Sequence, residues 1–255
     1  MDVRAEKLMH DSSQDGLKVG SAITVEDLIK RKHAALRSLV SIIAANNEKS
    51  PIEIVEVGSW LGESAINWAA AINEFNAGVG RIICIDPWLP YDGGMGIAQG
   101  IPEEMNRLLE SGEAINLFKA NIYKAGIQGM IEINRAKSDD ALVKLAGLKF
   151  DLLFIDGDHS YRQVKADIEN ASVLVRDGGI MCGDDLEVLF TECNQVIALK
   201  WAEIGAEYVF EPTTGIFFHP GVTVAVFDAF DEVSRHGVVW AVRKSGDCWL
   251  PVRFG

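Results

Sequence analysis

The clearest pattern in this chain is an alternation of short apolar segments with longer segments of helical periodicity, which begins at residue 52. The apolar segments are rich in β-branched and large side chains, as strands covered on both faces usually are. They are IEIVEV (52–57), RIICID (81–86), MIEINRA (130–136), FDLLFID (150–156) and GGIMCGD (178–184), with helical patterns between them at 63–75, 102–125 and 161–175. This strand–helix order predicts an α/β fold with a mostly parallel sheet and right-handed crossovers.

Both ends of the chain depart from this rhythm. Residues 24–47 place apolar side chains at helical spacing behind a Thr24/Asp27 capping pattern, which predicts a helix packed on the main domain. At the other end, GVVWAVRK (237–244) and DCWLPVRF (247–254) are separated by Ser245 and Gly246, the spacing of a tight hairpin. We therefore expect an antiparallel pair to close the sheet of one domain over 51–255, preceded by a tail and packing helix over 1–50.

Composition and charge exclude several classes of partner. A net charge of −13 leaves little basic surface for nucleic acid. No apolar run reaches the ~18 residues of a membrane span, and the N-terminus MDVRAEKLMH lacks the features of a secretory signal, so we expect a cytoplasmic protein without a membrane partner. The four cysteines show no zinc-type spacing, and buried free thiols are the simplest interpretation.

The first strand leads into a glycine turn, EVGSWLGES (56–64), that opens a helix. Dinucleotide folds need a glycine where this chain has Trp60, because only glycine lets the backbone approach a pyrophosphate, so NAD and FAD are disfavoured. The remaining pattern, an acid followed by two glycines four residues apart, suits a nucleoside with an amino-acid tail and no diphosphate. Asp86, after the next strand, is placed to accept two hydrogen bonds from a ribose diol. Ser138, after the third strand, either reaches an adenine edge or caps the following helix.

Acidic residues gather where the fourth and fifth strands end. Asp156 ends the fourth strand, and Asp184 and Asp185 end the fifth, so all three should meet at one edge of the sheet. At roughly 4 Å and an effective dielectric near 20, each pair of carboxylates costs about 4 kcal/mol. Protonation offsets such repulsion, but a divalent cation such as Mg²⁺ offsets it better because it prefers carboxylate oxygens. Turn formation and helix capping are the alternatives, and for Asp158 we favour them.

Two histidines lie close to these acids or to the segments that follow them. His159 comes three residues after Asp156, and a neutral imidazole there is able to accept a proton from a hydroxyl. A histidine beside several carboxylates serves equally well as a hydrogen-bonded structural partner. His219 is expected to belong to local loop structure, unless its loop folds over the site.

Over residues 52–185 the chain resembles class I S-adenosylmethionine-dependent methyltransferases, with EVGSWLGES as the first motif and IDPW as the ribose-side motif. FIDGDHSY and MCGDD, the latter preceded by VRDGGI, are similar to motifs of the metal-dependent O-methyltransferases of the macrocin and catechol type and of the cephalosporin-hydroxylase-like group. The resemblance implies a Rossmann-like doubly wound sheet and methyl transfer to a hydroxyl of a small molecule, a sugar or a natural product. The catechol type has Asp-Asn where this chain has Asp184-Asp185, which is closer to the macrocin pattern and speaks against a catechol-like substrate.

The resemblance also implies roles for individual residues. The candidate catalytic residues are His159, at a position where the catechol type has a lysine, and Asp156. The expected cofactor-binding residues for S-adenosylmethionine are Glu56, Gly58, Ser59, Gly62, Ser64, Asp86, Trp88, Ser138 and Asp156. The expected ligands of Mg²⁺ or another divalent cation are Asp156, Asp184 and Asp185.

Two segments should supply substrate contacts, the proline- and glycine-rich loop at 87–102 and the stretch at 186–220. The N-terminal helix and the terminal hairpin offer apolar surface for a homodimer. Three other functions stay open: a metal-independent N- or C-methyltransferase, a non-catalytic nucleoside-binding protein of the same fold, and metal-assisted hydrolysis or phosphoryl transfer. The last is disfavoured because the chain has no GKS/T phosphate loop.

Overall fold

In the computed structural model, which describes residues 25–47, 50–90 and 103–254, the five apolar segments are strands. They are β1 (Ile52–Val57), β2 (Gly80–Ile85), β3 (Ile131–Asn134), β4 (Phe150–Ile155) and β5 (Val175–Gly183). Each is parallel to its neighbours in the order β3-β2-β1-β4-β5. β4 is buried along its whole length, as a strand covered on both faces should be. The predicted parallel sheet is therefore confirmed.

Helices alternate with these strands. They are α1 (Val25–Ala44), α2 (Glu63–Phe75), α3 (Glu103–Ser111), α4 (Glu113–Lys124), α5 (Ser138–Lys144) and α6 (Tyr161–Ser172). The bounds of α2 are those predicted from the sequence. The pattern at 102–125 forms two helices, because Gly112 adopts a left-handed conformation (φ 70°) between them.

The C-terminal third adds α7 (Gln195–Glu203), β6 (Val209–Glu211), β7 (Ile216–Phe218), α8 (Pro220–Ala229), β8 (Ser234–His236), β9 (Val239–Ser245) and β10 (Cys248–Pro251). β9 is antiparallel to both β5 and β10, so the predicted closing hairpin is confirmed. β6 and β7 form a separate two-stranded sheet. The sequence analysis assigned no elements to the region between β5 and β9, which lacks a regular period.

Alternation of side chains along the strands divides the core into two layers. Ile54 and Phe154 face a cluster that includes side chains of α1, α2 and α4. Val55 and Leu153 face a cluster that includes side chains of α5, α6 and α8. Helices therefore cover both faces of the sheet, and the strand ends at its carboxyl edge are left to form a site.

Some expectations concern parts of the chain outside the described residues. Most of the N-terminal tail and residues 91–102 of the expected substrate loop are among them. Cys84, Cys182 and Cys193 are buried free thiols, as expected, whereas Cys248 is exposed. Within the described ranges, no helix has the length and apolarity to span a membrane.

Candidate active site

The glycine turn after β1 lies directly against the backbone that follows β4. Gly58 has a φ of +87°, and a Cβ at this position would overlap the carbonyl oxygen of Asp156. Gly62 has a φ of +88°, and its Cβ would lie 3.0 Å from the ring of Phe118. Glycine adopts this conformation at little cost and leaves room for the close approach. The two glycines therefore hold the turn beside the candidate base, Asp156.

Polar atoms buried at this turn have no hydrogen-bond partner within the described structure. They are Glu56 Oε1, Ser59 Oγ and Trp60 Nε1, although the hydroxyls of Ser59 and Ser64 lie close enough to Glu56 to lower the pKa of its carboxyl. The other oxygen of Glu56 accepts a hydrogen bond from Trp68 Nε1 at 2.9 Å, and burial raises the pKa of Glu56 to about 7. Buried polar groups without partners are costly, so such atoms indicate where a polar ligand fits. The turn thus suits a nucleoside that carries polar groups.

Asp86 closes the same turn through two backbone hydrogen bonds. Its Oδ2 accepts from Trp60 N at 2.9 Å and its Oδ1 accepts from Trp88 N at 2.6 Å. Each carboxylate oxygen can accept a further hydrogen bond, so both remain able to accept from a ribose diol. Trp88 itself is buried, with its ring 5.0 Å from that of Phe118 and its Nε1 donating to Trp60 O. Trp88 therefore supports the turn from the core.

Two other predicted features have local roles. Ser138 is the first residue of α5 and not its cap, which is Lys137, so the capping alternative is wrong. Its hydroxyl instead accepts a hydrogen bond from Gln163 Nε2 at 3.2 Å and joins α5 to α6. Asp158 Oδ1 accepts from Ser160 N at 2.7 Å, which confirms the expected turn.

Asp156, Asp184 and Asp185 lie at the adjacent ends of β4 and β5, and a lysine lies between two of them. Lys32 Nζ is 3.0 Å from Asp156 Oδ2 and also contacts Asp184 Oδ2. Lys32 belongs to α1, and its ammonium lies 5.7 Å from the ring centroid of Phe154. A divalent cation was expected to offset the acidic repulsion better than protonation, and the structure adds a counter-ion from the chain itself, Lys32.

A signal for Lys32 was present in the sequence. It lies four residues before Leu36 and seven before Leu39, both fully buried, so it occupies the apolar face of α1. A lysine on such a face needs an acidic partner once it is buried. The periodicity shows the face but does not identify the partner.

The three aspartates differ in their ionisation. Burial raises the pKa of Asp156 to about 8, against the opposing charge of Lys32. Burial also raises the pKa of Asp184, whose Oδ1 is buried without a hydrogen-bond partner in the described structure. Burial opposes ionisation of Asp185 too, but the charges of His159 and His219 lower its pKa. Burial thus favours protonation of Asp156 and Asp184, whereas the neighbouring histidines keep Asp185 ionised.

Beside Asp185 lies a group of five side chains that we call the histidine cluster: His159, Asp185, Glu187, Glu207 and His219. His159 Nε2 is 3.0 Å from Asp185 Oδ2, and its Nδ1 is 2.7 Å from Glu207 Oε1. His219 Nδ1 is 2.9 Å from Glu187 Oε1 and 3.8 Å from Asp185 Oδ1. The two imidazole centroids are 4.5 Å apart. Of the two alternatives for His219, the structure favours the one in which its loop folds over the site.

The environment of His159 also changes its expected chemistry. Burial alone would lower its pKa, but the charge and hydrogen bond of Asp185 and the hydrogen bond of Glu207 raise it well above 6.5. The carboxylates at both ring nitrogens favour the alternative in which His159 is a hydrogen-bonded structural partner over that in which it is a neutral proton acceptor. Glu187 and Glu207, which the sequence analysis did not identify, have no spacing that relates them to His159.

Residues 55–186, more than half of the chain, match the family described as "Methyltransferase domain". No curated protein sequence matches the chain. Among solved structures, it is similar to the O-methyltransferase NovP, with a TM-score of 0.58 and 18% identity over 88% of this chain and 83% of that one. It is also similar to the O-methyltransferase TomG from Streptomyces achromogenes, involved in tomaymycin synthesis and solved with S-adenosylmethionine (TM-score 0.52, 14% identity, 96% and 92% covered). A Bacillus cereus O-methyltransferase solved with S-adenosylhomocysteine gives a TM-score of 0.51 at 18% identity, with 96% and 92% covered. The chain belongs to the methyltransferase domain family and is a class I S-adenosylmethionine-dependent methyltransferase.

Proposed function

We propose that this enzyme methylates a hydroxyl oxygen of a small molecule. One observation carries the proposal: the glycine turn expected to hold the methyl donor packs on the backbone of Asp156, at the edge of the sheet where the acidic side chains meet. The donor site and a carboxylate able to accept a proton are therefore adjacent. The likeness to solved O-methyltransferases supports oxygen as the acceptor atom.

The residues of the turn suit the different parts of the cofactor. The carboxylate of Asp86 would accept hydrogen bonds from the ribose hydroxyls, and the unpartnered atoms of Glu56 and Trp60 would bind its polar groups. When bound, S-adenosylmethionine supplies an electrophilic methyl group on a sulfonium and leaves as S-adenosylhomocysteine. The protein's part is to align the substrate oxygen with that carbon and to exclude water.

Proton transfer is assigned to Asp156. As the hydroxyl oxygen of the substrate forms its bond to carbon and the carbon–sulfur bond breaks, the hydroxyl proton passes to the Asp156 carboxylate. Proton transfer to a positioned base contributes about 10²–10⁴-fold in rate. His159 would position the site through Asp185 and Glu207, because both of its nitrogens are engaged.

A sugar or natural-product hydroxyl is the proposed substrate class, and TomG's part in tomaymycin synthesis supports it. The segment at 186–220 supplies Glu187, Glu207 and His219 to the carboxyl edge of the sheet, which supports its proposed role in substrate contact. A homodimer through α1 and the terminal hairpin, and a cytoplasmic location, stay predictions.

We also propose that a divalent cation is required. The oxygens of Asp156, Asp184 and Asp185 suit Mg²⁺, and the unpartnered Asp184 Oδ1 supports a ligand there. When bound, the cation would lower the pKa of a substrate hydroxyl. The contact of Lys32 with Asp156 and Asp184 counts against full use of these two carboxylates as ligands.

The test is formation of S-adenosylhomocysteine over a panel of hydroxylated sugars and natural products, with mass spectrometry of the methylated product. Asp156→Asn should lower turnover by about 10²–10⁴-fold and leave S-adenosylhomocysteine binding largely intact. Asp158→Asn, two residues away in the turn, is the matched control. No product with any hydroxyl, or a methyl group found on nitrogen or carbon, would contradict the proposal.

The metal requirement is tested separately. Asp184→Ala should remove metal-dependent turnover without loss of cofactor affinity in calorimetry. Wild-type rates in this variant, together with no effect of EDTA on the parent enzyme, would sink the metal requirement and leave metal-independent methyl transfer.

A further inference from the structure

We propose that the histidine cluster is itself a metal site, which binds a transition-metal dication such as Zn²⁺ or Mn²⁺ through His219, Glu187 and Asp185, with His159 beside them. Binding of the ion is argued from the cluster alone, and only a role of the ion in turnover rests on the proposed function. It places the cation among mixed nitrogen and oxygen donors, next to the three aspartates suggested by the sequence.

The distances within the cluster are those of a collapsed coordination site. The ligand atoms of Asp185, Glu187 and His219 lie within 4.8 Å of one another, as do those of His159, Glu207 and His219. Ligands held about 2.0–2.2 Å from one ion are separated by about 3–3.5 Å. His219 Nδ1 is 2.9 Å from Glu187 Oε1 and 3.8 Å from Asp185 Oδ1, so small side-chain rotations suffice to admit an ion.

Two backbone features hold the cluster together. Asp185 has a φ of 59°, a left-handed conformation that costs a non-glycine residue on the order of 1 kcal/mol. Its carboxylate faces the histidines, while that of its neighbour Asp184 faces Lys32. Gly221 lies in the first turn of α8, and a Cβ there would overlap the carbonyl oxygen of His159. This close approach brings His219, the residue at the N-terminus of α8, beside His159.

The charges of the cluster favour a cation. Asp185, Glu187 and Glu207 carry three negative charges, and the two histidines offset at most two of them. Lys32 is paired with Asp156 and Asp184, and its charge also acts on Asp185. Arg235 donates to the backbone carbonyl of Glu187 and to Glu192. Among the described residues, the three carboxylates of the cluster, when ionised, therefore outnumber the positive charges of its two histidines.

The donor set selects the class of metal. Imidazole nitrogen suits Zn²⁺ and Fe²⁺, and carboxylate oxygen suits Mn²⁺, so a mixed set accepts either, whereas Mg²⁺ prefers an all-oxygen octahedron and keeps several waters. The aspartates that would favour Mg²⁺ are partly occupied by Lys32. We therefore expect Zn²⁺ and Mn²⁺ to bind more tightly than Mg²⁺.

The experiment is calorimetric titration of the full-length, EDTA-treated protein with ZnCl₂, MnCl₂ and MgCl₂ in turn. We expect one equivalent of Zn²⁺ or Mn²⁺ to bind at least ~10-fold more tightly than Mg²⁺. His219→Ala and Glu187→Gln should each weaken Zn²⁺ binding by ~10-fold or more. His33→Ala is the matched control, because His33 Nε2 also lies 2.9 Å from a glutamate oxygen, that of Glu63, outside the cluster. It should leave Zn²⁺ affinity unchanged.

A fold check accompanies the titration. Zn²⁺ should raise the melting temperature of the parent protein, because it binds the folded state. The rise should be smaller in Glu187→Gln, whose side chain has nearly the same size and shape as glutamate. Unchanged Zn²⁺ affinity in both cluster variants would overturn the proposal.

Failure of the two proposals can be told apart. One equivalent of Zn²⁺ lost in the cluster variants, without S-adenosylhomocysteine formation from any hydroxylated substrate, would uphold the metal site and sink the proposed function. Full methyl transfer by protein that takes up no Zn²⁺ or Mn²⁺ would sink the metal site and uphold O-methylation.

Discussion

Replacing Lys32 with methionine should destabilise the fold strongly, because the substitution removes the counter-ion of Asp156 and Asp184 and keeps most of the apolar stem. The Lys32 side chain is 19% exposed, and those of its two partners are 17% and 7% exposed. Removing one member of a buried ion pair costs about 3–5 kcal/mol, since the remaining charges stay buried without compensation. We expect a loss of this size in the free energy of unfolding.

The loss can be measured by guanidinium chloride unfolding followed by tryptophan fluorescence and circular dichroism. The midpoint should fall while the dependence on denaturant stays the same, which would show a change in stability and not in the compactness of either state. The double variant Lys32→Met/Asp184→Asn should recover part of the loss, because one uncompensated carboxylate is then removed.

Lys30 provides the matched control on the same helix. Its Nζ is 2.6 Å from Glu26 Oε1, but the two side chains are 67% and 71% exposed. Lys30→Met should therefore leave the unfolding midpoint almost unchanged. Equal losses in the two variants, or none in Lys32→Met, would refute the reasoning that Lys32 is the counter-ion of the aspartates.

Three further predictions concern the glycine turn and its surroundings. Gly58→Ala should lower the free energy of unfolding by more than about 3 kcal/mol, because the added Cβ would overlap a backbone carbonyl. Gly112→Ala should lower it by only about 1–2 kcal/mol, because Gly112 has a φ of +70° but no atom within 4 Å of the added Cβ. Equal losses in scanning calorimetry would contradict the steric argument. The pKa of Glu56 is about 7 in the folded protein and 4.5 ordinarily, so between these values the folded state holds a proton that the unfolded state has released. The free energy of unfolding should therefore fall by up to about 3 kcal/mol as the pH rises from 4.5 through 7. Glu56→Gln should remove that contribution in urea unfolding at pH 5 and pH 7.5, and an unchanged slope would show that the group is not the source. Asp86→Ala should weaken S-adenosylhomocysteine binding about 10–100-fold in calorimetry; an unchanged affinity would refute its ribose role.

The sheet was predictable because its signals are local. Each of the five parallel strands is a short run of apolar side chains, and α2 has the predicted bounds Glu63–Phe75. The split between α3 and α4 is also explained by a local feature, the left-handed Gly112. The motifs after β1, β4 and β5 were sufficient to place Gly58 and the three aspartates at one edge of the sheet, since parallel strands end on the same side.

The region after β5 was less predictable. α7, β6, β7 and α8 are short, and the first seven residues of α8 are all buried, so they have no polar face to produce a helical period. Glu187, Glu207 and His219 all come from this stretch. Their approach to His159 depends on the packing of α8 against the loop after β4, which no spacing in the chain records.

The sequence by itself determined the α/β architecture, the closing hairpin and the positions where cofactor chemistry is expected, because hydrophobic periodicity, glycine turns and strand ends are properties of neighbouring residues. Only the tertiary structure decided how the acids are neutralised. Lys32 and Asp156 are 124 residues apart, and His159 and Glu207 are 48 apart. Which charges meet is decided by the packing of α1 and α8, since an ion pair depends on distance in space and leaves no periodic trace in the order of residues.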